Sequence, residues 1–287
     1  MDSGSYRVVL FGASGFIGAH VRRSLSTDPR VSFLDCPGRD RYDLLTGTVD
    51  ELTAVLLRAR PDAVVACTGQ LTGSVHDLLR ANALPAAALV EAVSAAAPGA
   101  RLVRLGSAAE YGPVPAGHAV AEDHPPAPVS GYGLSHLTAT RLLELASADG
   151  RVDGVTLRVF NPIGPGLRED TLLGRAVALL RHALDRGEDT VTLGDLTAYR
   201  DFVDVRDVAA AVCAAVFAPS PAPRVVNVGS GHAVPARAAV DLLAAAAGFT
   251  GRVVERGAGP ARSSAVGWML ADIGRAARDL GWAPVHD

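Results

Sequence analysis

The sequence contains no lysine, so all 27 of its basic residues are arginines. It has only three cysteines, Cys36, Cys67 and Cys213, which are scattered and form no Cys-x-x-Cys pair. This pattern predicts a reduced, intracellular protein with neither a disulfide framework nor a zinc site. The eight histidines show no spacing typical of metal ligands, so no bound metal is expected.

Surplus charge and long apolar segments are also missing. The 30 acidic and 27 basic residues give a formal net charge of −3, which provides no cationic surface for nucleic acid. No basic segment precedes an apolar run near the first residues, so no signal peptide is predicted. The apolar run at residues 208–218 is too short to span a membrane. We therefore expect a cytoplasmic protein without a membrane or nucleic-acid partner.

The most informative stretch is Gly12-Ala13-Ser14-Gly15-Phe16-Ile17-Gly18. It lies between residues 7–11, which predict a buried strand, and residues 19–25, which predict a helix. Glycines let the backbone approach a pyrophosphate closely, and the N–H groups of a helix N-terminus hold it. The spacing is Gly-x-x-Gly-x-x-Gly, so its weight comes from the flanking strand and helix. An ordinary strand–helix turn is the alternative.

The choice between NADH and NADPH is left open by two conflicting signals. Asp35 ends the second predicted strand, close to the roughly 20-residue spacing at which an acid binds the ribose hydroxyls of NAD. Arg39 and Arg41 follow closely, and an arginine there accepts the 2′-phosphate of NADP. Both arginines also fit a solvated loop.

Predicted strands alternate with predicted helices along most of the chain, which indicates an α/β fold with a doubly wound parallel sheet. Thr68 and Ser107 follow two of these strands, at the edge where such sheets bind ligands. A proline- and glycine-rich loop at residues 112–131 is long enough to be functional or disordered.

Three polar side chains beyond the glycine stretch suggest catalysis. Ser107 ends a predicted strand, Tyr132 begins a predicted helix, and His136 lies one turn later on the same helix face. A tyrosine hydroxyl can protonate a carbonyl that receives hydride, and a serine hydroxyl can hydrogen-bond the same oxygen. Each residue type is also common in packing, so the three alone do not decide.

Motifs spread over nearly the whole chain resemble an extended short-chain dehydrogenase/reductase of the nucleotide-sugar epimerase/dehydratase/reductase type. The pattern it resembles most is that of GDP-4-keto-6-deoxymannose reductases. The segments that carry the resemblance are residues 12–18, 105–112, 132–136, 158–166, 200–207, 227–231 and 280–284.

The resemblance implies a Rossmann domain (residues 1–165 plus 196–230) and a small, largely C-terminal substrate-binding domain (residues 166–195 plus 231–287). It also implies a homodimer packed through two long helices, residues 75–97 and 132–148. Neither feature follows from composition or periodicity.

The resemblance assigns Ser107 and Tyr132 to a Ser–Tyr–Lys catalytic set, whose lysine position holds His136 here. In the family that lysine binds the nicotinamide ribose and lowers the pKa of the tyrosine through its charge. A histidine, mostly neutral at pH 7, gives less electrostatic help. Ketone reduction needs a protonated tyrosine, so it should tolerate the change better than alcohol oxidation. Ala108 and Ala109 stand where 4,6-dehydratases carry Asp-Glu, which argues against dehydration.

The resemblance also distributes the binding roles. The glycine stretch lines the pyrophosphate, and Asp43 and Leu44 lie near the adenine. The other implied residues form a longer set: Cys67, Thr68 and Gly69 under the cofactor, Asn82 among the cofactor-binding residues as an asparagine that steadies the central strands and the active site, Phe160 and Ile163 beside the nicotinamide, and Asn161, Arg200 and Arg262 at the nucleotide part of the substrate. For Arg200 and Arg262, a surface or interdomain ion pair is the alternative.

The sequence therefore favours an NAD(P)H-dependent ketoreductase, with NADPH or NADH as cofactor. Its expected partner is a small-molecule ketone, either on a nucleotide sugar or on a natural-product intermediate such as a polyketide. A nucleotide-sugar epimerase that keeps one NAD is the second hypothesis. A non-catalytic dinucleotide-binding sensor or scaffold is the third.

Overall fold

The central element is a six-stranded parallel sheet, in a computed structural model that describes residues 5–257 and 265–286. Its strands are β1 (Tyr6–Phe11), β2 (Val31–Asp35), β3 (Ala63–Ala66), β4 (Arg101–Ser107), β5 (Asp153–Val159) and β9 (Val225–Val228). They stand in the order β2-β1-β3-β4-β5-β9, and all neighbours are parallel. The predicted α/β fold with a doubly wound parallel sheet is confirmed.

Helices cover both faces of this sheet. The helices of the described residues are α1 (Phe16–Thr27), α2 (Val49–Ala59), α3 (Val75–Asn82), α4 (Leu84–Ala96), α5 (Gly131–Ala148), α6 (Leu172–Arg186), α7 (Val205–Phe217), α8 (Ala236–Ala246) and α9 (Gly274–Leu280). Val8 and Leu10 of β1 pack with α1 and α7, whereas Val9 and Phe11 pack with α2 and α4. Alternate residues of each strand therefore supply two separate apolar layers.

The helical stretch at residues 75–97, expected to be one helix, is divided into α3 and α4 at Ala83. Pro85 causes the division, because proline has no N–H and its ring blocks the carbonyl one turn earlier. The stretch Val75–Ala96 is long and apolar enough to cross a membrane by composition, but 56% of its most apolar 18-residue window is buried within the fold. That burial is typical of core helices.

A smaller layer packs beside the carboxyl edge of the sheet. There β7 (Thr190–Leu193) pairs with β11 (Arg252–Glu255), and both pack with α6 and α8. A second small sheet combines β8 (Tyr199–Asp204) with three short strands that the sequence does not reveal: β6 (Asn161–Ile163), β10 (Ala233–Pro235) and β12 (Trp268–Met269). Residues of β6, β8, β12 and α6 form the outer wall of the cavity described below.

The end of the described chain returns to the large sheet. Ala276 of α9 and Trp282 are buried with α7 and β9, and the Trp282 indole donates to the Asp207 carbonyl (3.0 Å). The sequence assigns residues 231–287 to the smaller domain, whereas this packing joins residues 274–282 to the larger one. The division into two domains stays a prediction.

Candidate active site

A cavity of about 470 Å³ opens at the carboxyl edge of the large sheet, a size typical of small-molecule sites. Its floor comes from the residues that follow β1, β3, β4 and β5, and the first turns of α5 close one side. Of the residues that the sequence singled out, these line it: Gly15, Phe16, Ile17, Cys67, Thr68, Gly69, Ser107, Tyr132, His136, Phe160, Asn161, Ile163 and Arg200.

The glycine stretch forms a tight turn between β1 and α1. Gly12 has φ +80°, and a Cβ there would lie 2.6 Å from the carbonyl oxygen of Cys67. A Cβ on Gly18 would lie 2.0 Å from the carbonyl oxygen of Gly12. Only glycine fits at these two positions, so the turn brings bare backbone to the floor of the cavity.

The N-terminus of α1 is left open towards this turn. Its N-cap is Gly15, which offers no capping side chain, and its first turn holds no acidic residue. By contrast, α2 is closed by a Thr48–Glu51 capping box and α3 by a Ser74–Asp77 capping box. The exposed amides and positive dipole end of α1 fit a diphosphate, as a bound dinucleotide requires. Ser14 lies exposed in the same turn.

The residues predicted to bind the adenosine half lie beyond the cavity, beside the carboxyl ends of β1 and β2. Asp35 forms an ion pair with Arg41, while Arg39 is exposed. The Asp43 carboxylate accepts from the amide of Leu45 (2.9 Å), and Leu44 is half-buried against α2. An acid and two arginines are therefore both present where the adenosine ribose is predicted to bind, and the choice between NADH and NADPH stays open.

Ser107 ends β4 and begins a short 3₁₀ turn at Ala108–Glu110. Its Oγ accepts from the Ala109 amide (3.2 Å), which leaves the hydroxyl hydrogen for another acceptor. Its own amide donates to Glu110 Oε1 (3.0 Å), and Glu110 is fully buried. The turn thus holds the Ser107 hydroxyl rigidly on the cavity wall.

Tyr132 and His136 lie on one face of α5, as their spacing predicts. The two rings meet edge to face with centroids 4.6 Å apart. Ser130 caps the helix by accepting from the Gly133 amide (3.1 Å), which fixes where Tyr132 enters the cavity wall. Burial, with repulsion from Arg104, holds the pKa of His136 well below 6.5, so its imidazole is neutral at pH 7.

Asn82 fastens the cavity floor to α5. Its Nδ2 donates to the Gln70 carbonyl (3.0 Å) and to Ser135 Oγ (2.9 Å), and its Oδ1 accepts from the Gln70 amide (2.7 Å). Asn82 does not line the cavity, although the prediction placed it among the cofactor-binding residues. Its contacts are those of a residue that steadies the site.

The remaining predicted residues form the outer side. Phe160 is buried beside Ile163, and Asn161 donates to the Asp201 carbonyl (2.9 Å). Arg200 donates to the carbonyl oxygens of Tyr199 (2.8 Å) and Val266 (2.6 Å), and burial lowers its pKa. Arg262 lies outside the described residues.

A network under β4 was missed by sequence reasoning. Arg104 donates to His136 Nδ1 (3.2 Å) and to Thr140 Oγ1 (3.1 Å). Glu110 accepts from Thr140 (2.9 Å) and pairs with Arg158 (2.9 Å). One signal was available, because Arg104 interrupts the apolar residues of a buried strand. A charge there needs a structural or functional partner.

Residues 8–229 match the NAD dependent epimerase/dehydratase family. The chain belongs to this family. Gly15 of the glycine-rich turn lines the same cavity as Ser107, Tyr132 and His136. The predicted membership of the extended short-chain dehydrogenase/reductases is confirmed, and the chain is an NAD(P)-dependent oxidoreductase.

Two curated relatives and one solved structure agree with this membership. The dTDP-6-deoxy-L-talose 4-dehydrogenase (NAD(P)(+)) of Kitasatospora kifunensis is 39% identical, over 97% of this chain and 91% of that protein. The GDP-6-deoxy-D-mannose reductase of Pseudomonas aeruginosa is 30% identical, over 83% of this chain and 79% of that protein. The structure of RMD from Pseudomonas aeruginosa complexed with NADPH is similar with a TM-score of 0.85, at 26% identity, covering 99% of this chain and 93% of that one.

Proposed function

We propose that this family member is an NAD(P)H-dependent ketoreductase that reduces the 4-keto group of a nucleotide-linked 6-deoxysugar. The observation that carries the proposal is the shared cavity, in which Ser107 and Tyr132 face the open end of α1. Two relatives named for chemistry on nucleotide-linked 6-deoxysugars support the substrate class over a polyketide ketone. Their names give dTDP and GDP, so the base is not part of the proposal.

In the proposed reaction the two hydroxyl groups act on the ketone oxygen. When bound, the reduced dinucleotide supplies the hydride that reaches the carbonyl carbon. Ser107 donates a hydrogen bond to the carbonyl oxygen and orients it. Tyr132 donates its proton to the same oxygen, which yields the alcohol, and regains a proton from water.

Reduction is the favoured direction because Tyr132 starts in the form that the step needs. A tyrosine phenol has a reference pKa near 10, and a nearby cation that lowers this pKa by about one unit still leaves the phenol almost wholly protonated at pH 7. Ala108 and Ala109 carry no acid or base beside Ser107, which argues against sugar dehydration.

Substrate binding is proposed for the outer wall. Arg200 and Asn161 stand across the cavity from α5, and a guanidinium suits a diphosphate because it presents a planar fork of donors.

We also propose a cytoplasmic homodimer packed through α4 and α5. Leu84 of α4 and Leu145 of α5 support this, since both are more than half exposed.

The experiment is steady-state turnover of Tyr132→Phe with a nucleotide-linked 4-keto-6-deoxysugar. The expected result is a fall in kcat of about 10²- to 10⁴-fold, the usual contribution of a positioned acid. Tyr6→Phe, at the opposite end of the sheet, is the matched control and should keep wild-type turnover. Unchanged turnover in Tyr132→Phe would overturn the role given to the tyrosine.

A nucleotide-sugar epimerase is the second candidate, because the family includes epimerases. The mass of any nucleotide released on denaturing the purified protein separates the two. Near-stoichiometric NAD favours an epimerase that recycles its cofactor, whereas empty protein that consumes added NADPH or NADH favours the reductase.

A further inference from the structure

Arg104 holds a positive charge at the centre of β4, only 6% exposed. Within the described ranges, no carboxylate lies within 4 Å of its guanidinium. Its hydrogen-bond partners are two neutral groups on α5, the Thr140 hydroxyl and the His136 imidazole. Burying a charge without a counter-ion lowers the free energy of unfolding, so we infer that the charge beside the cavity serves a function.

The contact between Arg104 and His136 fixes the proton on the imidazole. A guanidinium can only donate, so Nδ1 of His136 must accept, and a neutral imidazole then carries its hydrogen on Nε2. A Cβ built on Gly69 would lie 3.9 Å from this Nε2, and Gly69 lines the cavity. The Nε2–H group is therefore turned towards the ligand side.

The neighbouring charges do not cancel Arg104. Glu110 pairs with Arg158 and also accepts from Thr140 and the Ser107 amide. Two guanidinium groups and one carboxylate therefore leave one net positive charge under the first turns of α5. Burial lowers the pKa of Arg104, while attraction to Glu110 and to an ionised Tyr132 opposes that shift.

No other described ionisable group is placed to do the same. The helices that pack on α5, and the remainder of α5 itself, bring six ionisable side chains. Five of them are solvent-exposed, namely His76, Asp77, Arg80, Glu91 and Arg141, and Glu144 is partly buried and pairs with Arg141. On the far side of the cavity stand Arg168, Asp195 and Arg200. Arg104 is the buried cation that contacts the Tyr132–His136 face directly.

We propose that Arg104 is a positioning residue of this active site: it holds His136 with Nε2–H towards the cavity and supplies the positive charge that favours ionisation of Tyr132. His136 on α5 thus provides the hydrogen-bond donor, and Arg104 on β4 provides the positive charge. This inference rests on the proposed role of Tyr132. It also makes alcohol oxidation, the reverse reaction, accessible to a site without lysine.

The test is a pH titration of the Tyr132 phenol in the cofactor-free protein, monitored by the NMR signal of tyrosine labelled at the ¹³Cζ position. The chain has five tyrosines, and Tyr132→Phe assigns the signal. In Arg104→Met the Tyr132 phenol should titrate about one pH unit higher than in wild type, because a nearby cation is lost. Arg104→Lys keeps the charge and should titrate close to wild type. His136→Lys in the Arg104→Met background should return the lost charge and reverse the shift.

Equal titration of Tyr132 in wild type and Arg104→Met would overturn the proposal. Wild type alone provides a second check, since ¹⁵N NMR must find the His136 proton on Nε2 at pH 7. A proton on Nδ1 would overturn the proposal even if Arg104→Met did not fold. Turnover of Tyr132→Phe tests the proposed function separately, so either idea can fail while the other stands.

Discussion

The two ends of the large sheet treat their polar groups in opposite ways. At the amino end, Arg101 of β4 donates to Asp153 of β5 (2.7 and 3.0 Å) and to the Ala215 and Ala218 carbonyls at the end of α7. Three residues further along β4, towards the carboxyl end, the hydrogen-bond partners of Arg104 are both neutral. The charge of Arg101 is paired with a carboxylate within the fold, whereas the charge of Arg104 is not paired with a carboxylate and lies beside the cavity.

The comparison shows how the hydrogen-bonding of polar groups distinguishes those that stabilise the fold from those that can bind a ligand. Groups that the chain satisfies by itself hold the fold together, as the capping boxes of α2 and α3 also do. Groups left open at a cavity, such as the N-terminus of α1, are available to a ligand. Stability and activity should therefore respond separately to changes at the two ends.

The largest effect should come from breaking the amino end with Arg101→Met. The side chain is 7% exposed, and its loss removes the donor to the Ala215 and Ala218 carbonyls and leaves Asp153 with Ser220, Ala222 and Arg224 as its remaining partners. We expect the free energy of unfolding to fall by about 3 kcal/mol, as for other buried pairs that lose one partner. Urea unfolding measures the loss. The kcat per folded molecule should stay at the wild-type value, and a large fall in kcat would contradict the division between the two ends.

A somewhat smaller effect should follow when the open helix is closed by Gly15→Asp. Aspartate is a preferred N-cap residue, so the melting temperature without ligand should stay equal or rise. The new carboxylate accepts hydrogen bonds from the amides of α1 and repels a diphosphate. We therefore expect NADPH and NADH to bind about 100-fold more weakly, which corresponds to about 2.7 kcal/mol of binding free energy. Calorimetric binding measures this.

Gly15→Ala is the matched control for that variant, since it adds a Cβ without charge where the nearest atom lies 3.4 Å away. It should lose much less affinity than Gly15→Asp. Wild-type affinity in Gly15→Asp would mean that the dinucleotide does not use this helix end.

The smallest effect concerns pH and sharpens the contrast between the ends. The folded protein holds His136 neutral, with a pKa well below 6.5, whereas the unfolded chain binds a proton near pH 6.5. The unfolded state therefore takes up more protons as the pH falls below 6.5, and stability declines there by at most about 1.4 kcal/mol per pH unit. Above pH 6.5 this contribution is fully present.

Urea unfolding between pH 7.5 and 5.5 measures the slope, and His136→Gln is its control. The variant should show a shallower decline than wild type, because glutamine does not titrate. Equal slopes in the two proteins would show that His136 takes up its proton equally in both states.

The sequence was sufficient for the elements that local pattern defines. Residues 12–18 announced the turn between β1 and α1, and the spacing of Tyr132 and His136 placed both on one helix face. The short strands β6, β10 and β12 were not visible, since two or three residues carry no periodicity and are held by distant partners on β8.

The network of Arg104, Glu110, Thr140 and Arg158 was hidden for a related reason. Its members come from two strands, a turn and a helix, up to 54 residues apart in sequence (104 to 158), and only their packing makes them neighbours. The histidine at position 136, where the resemblance implies a lysine, could be read from sequence. The charge that stands behind His136 could be found only in three dimensions.

Ser107 reaches the cavity from the large sheet and Tyr132 from α5, whereas the smaller layer supplies much of the outline of the cavity. Leu172, Leu173, Ala236, Val266 and Met269 line that outer part. Under the proposed function, substitutions on this outer wall are expected to change which substrate fits while Ser107 and Tyr132 stay in place. Such a division lets a lineage exchange substrates by small steps, and it gives protein engineers a defined set of positions to randomise.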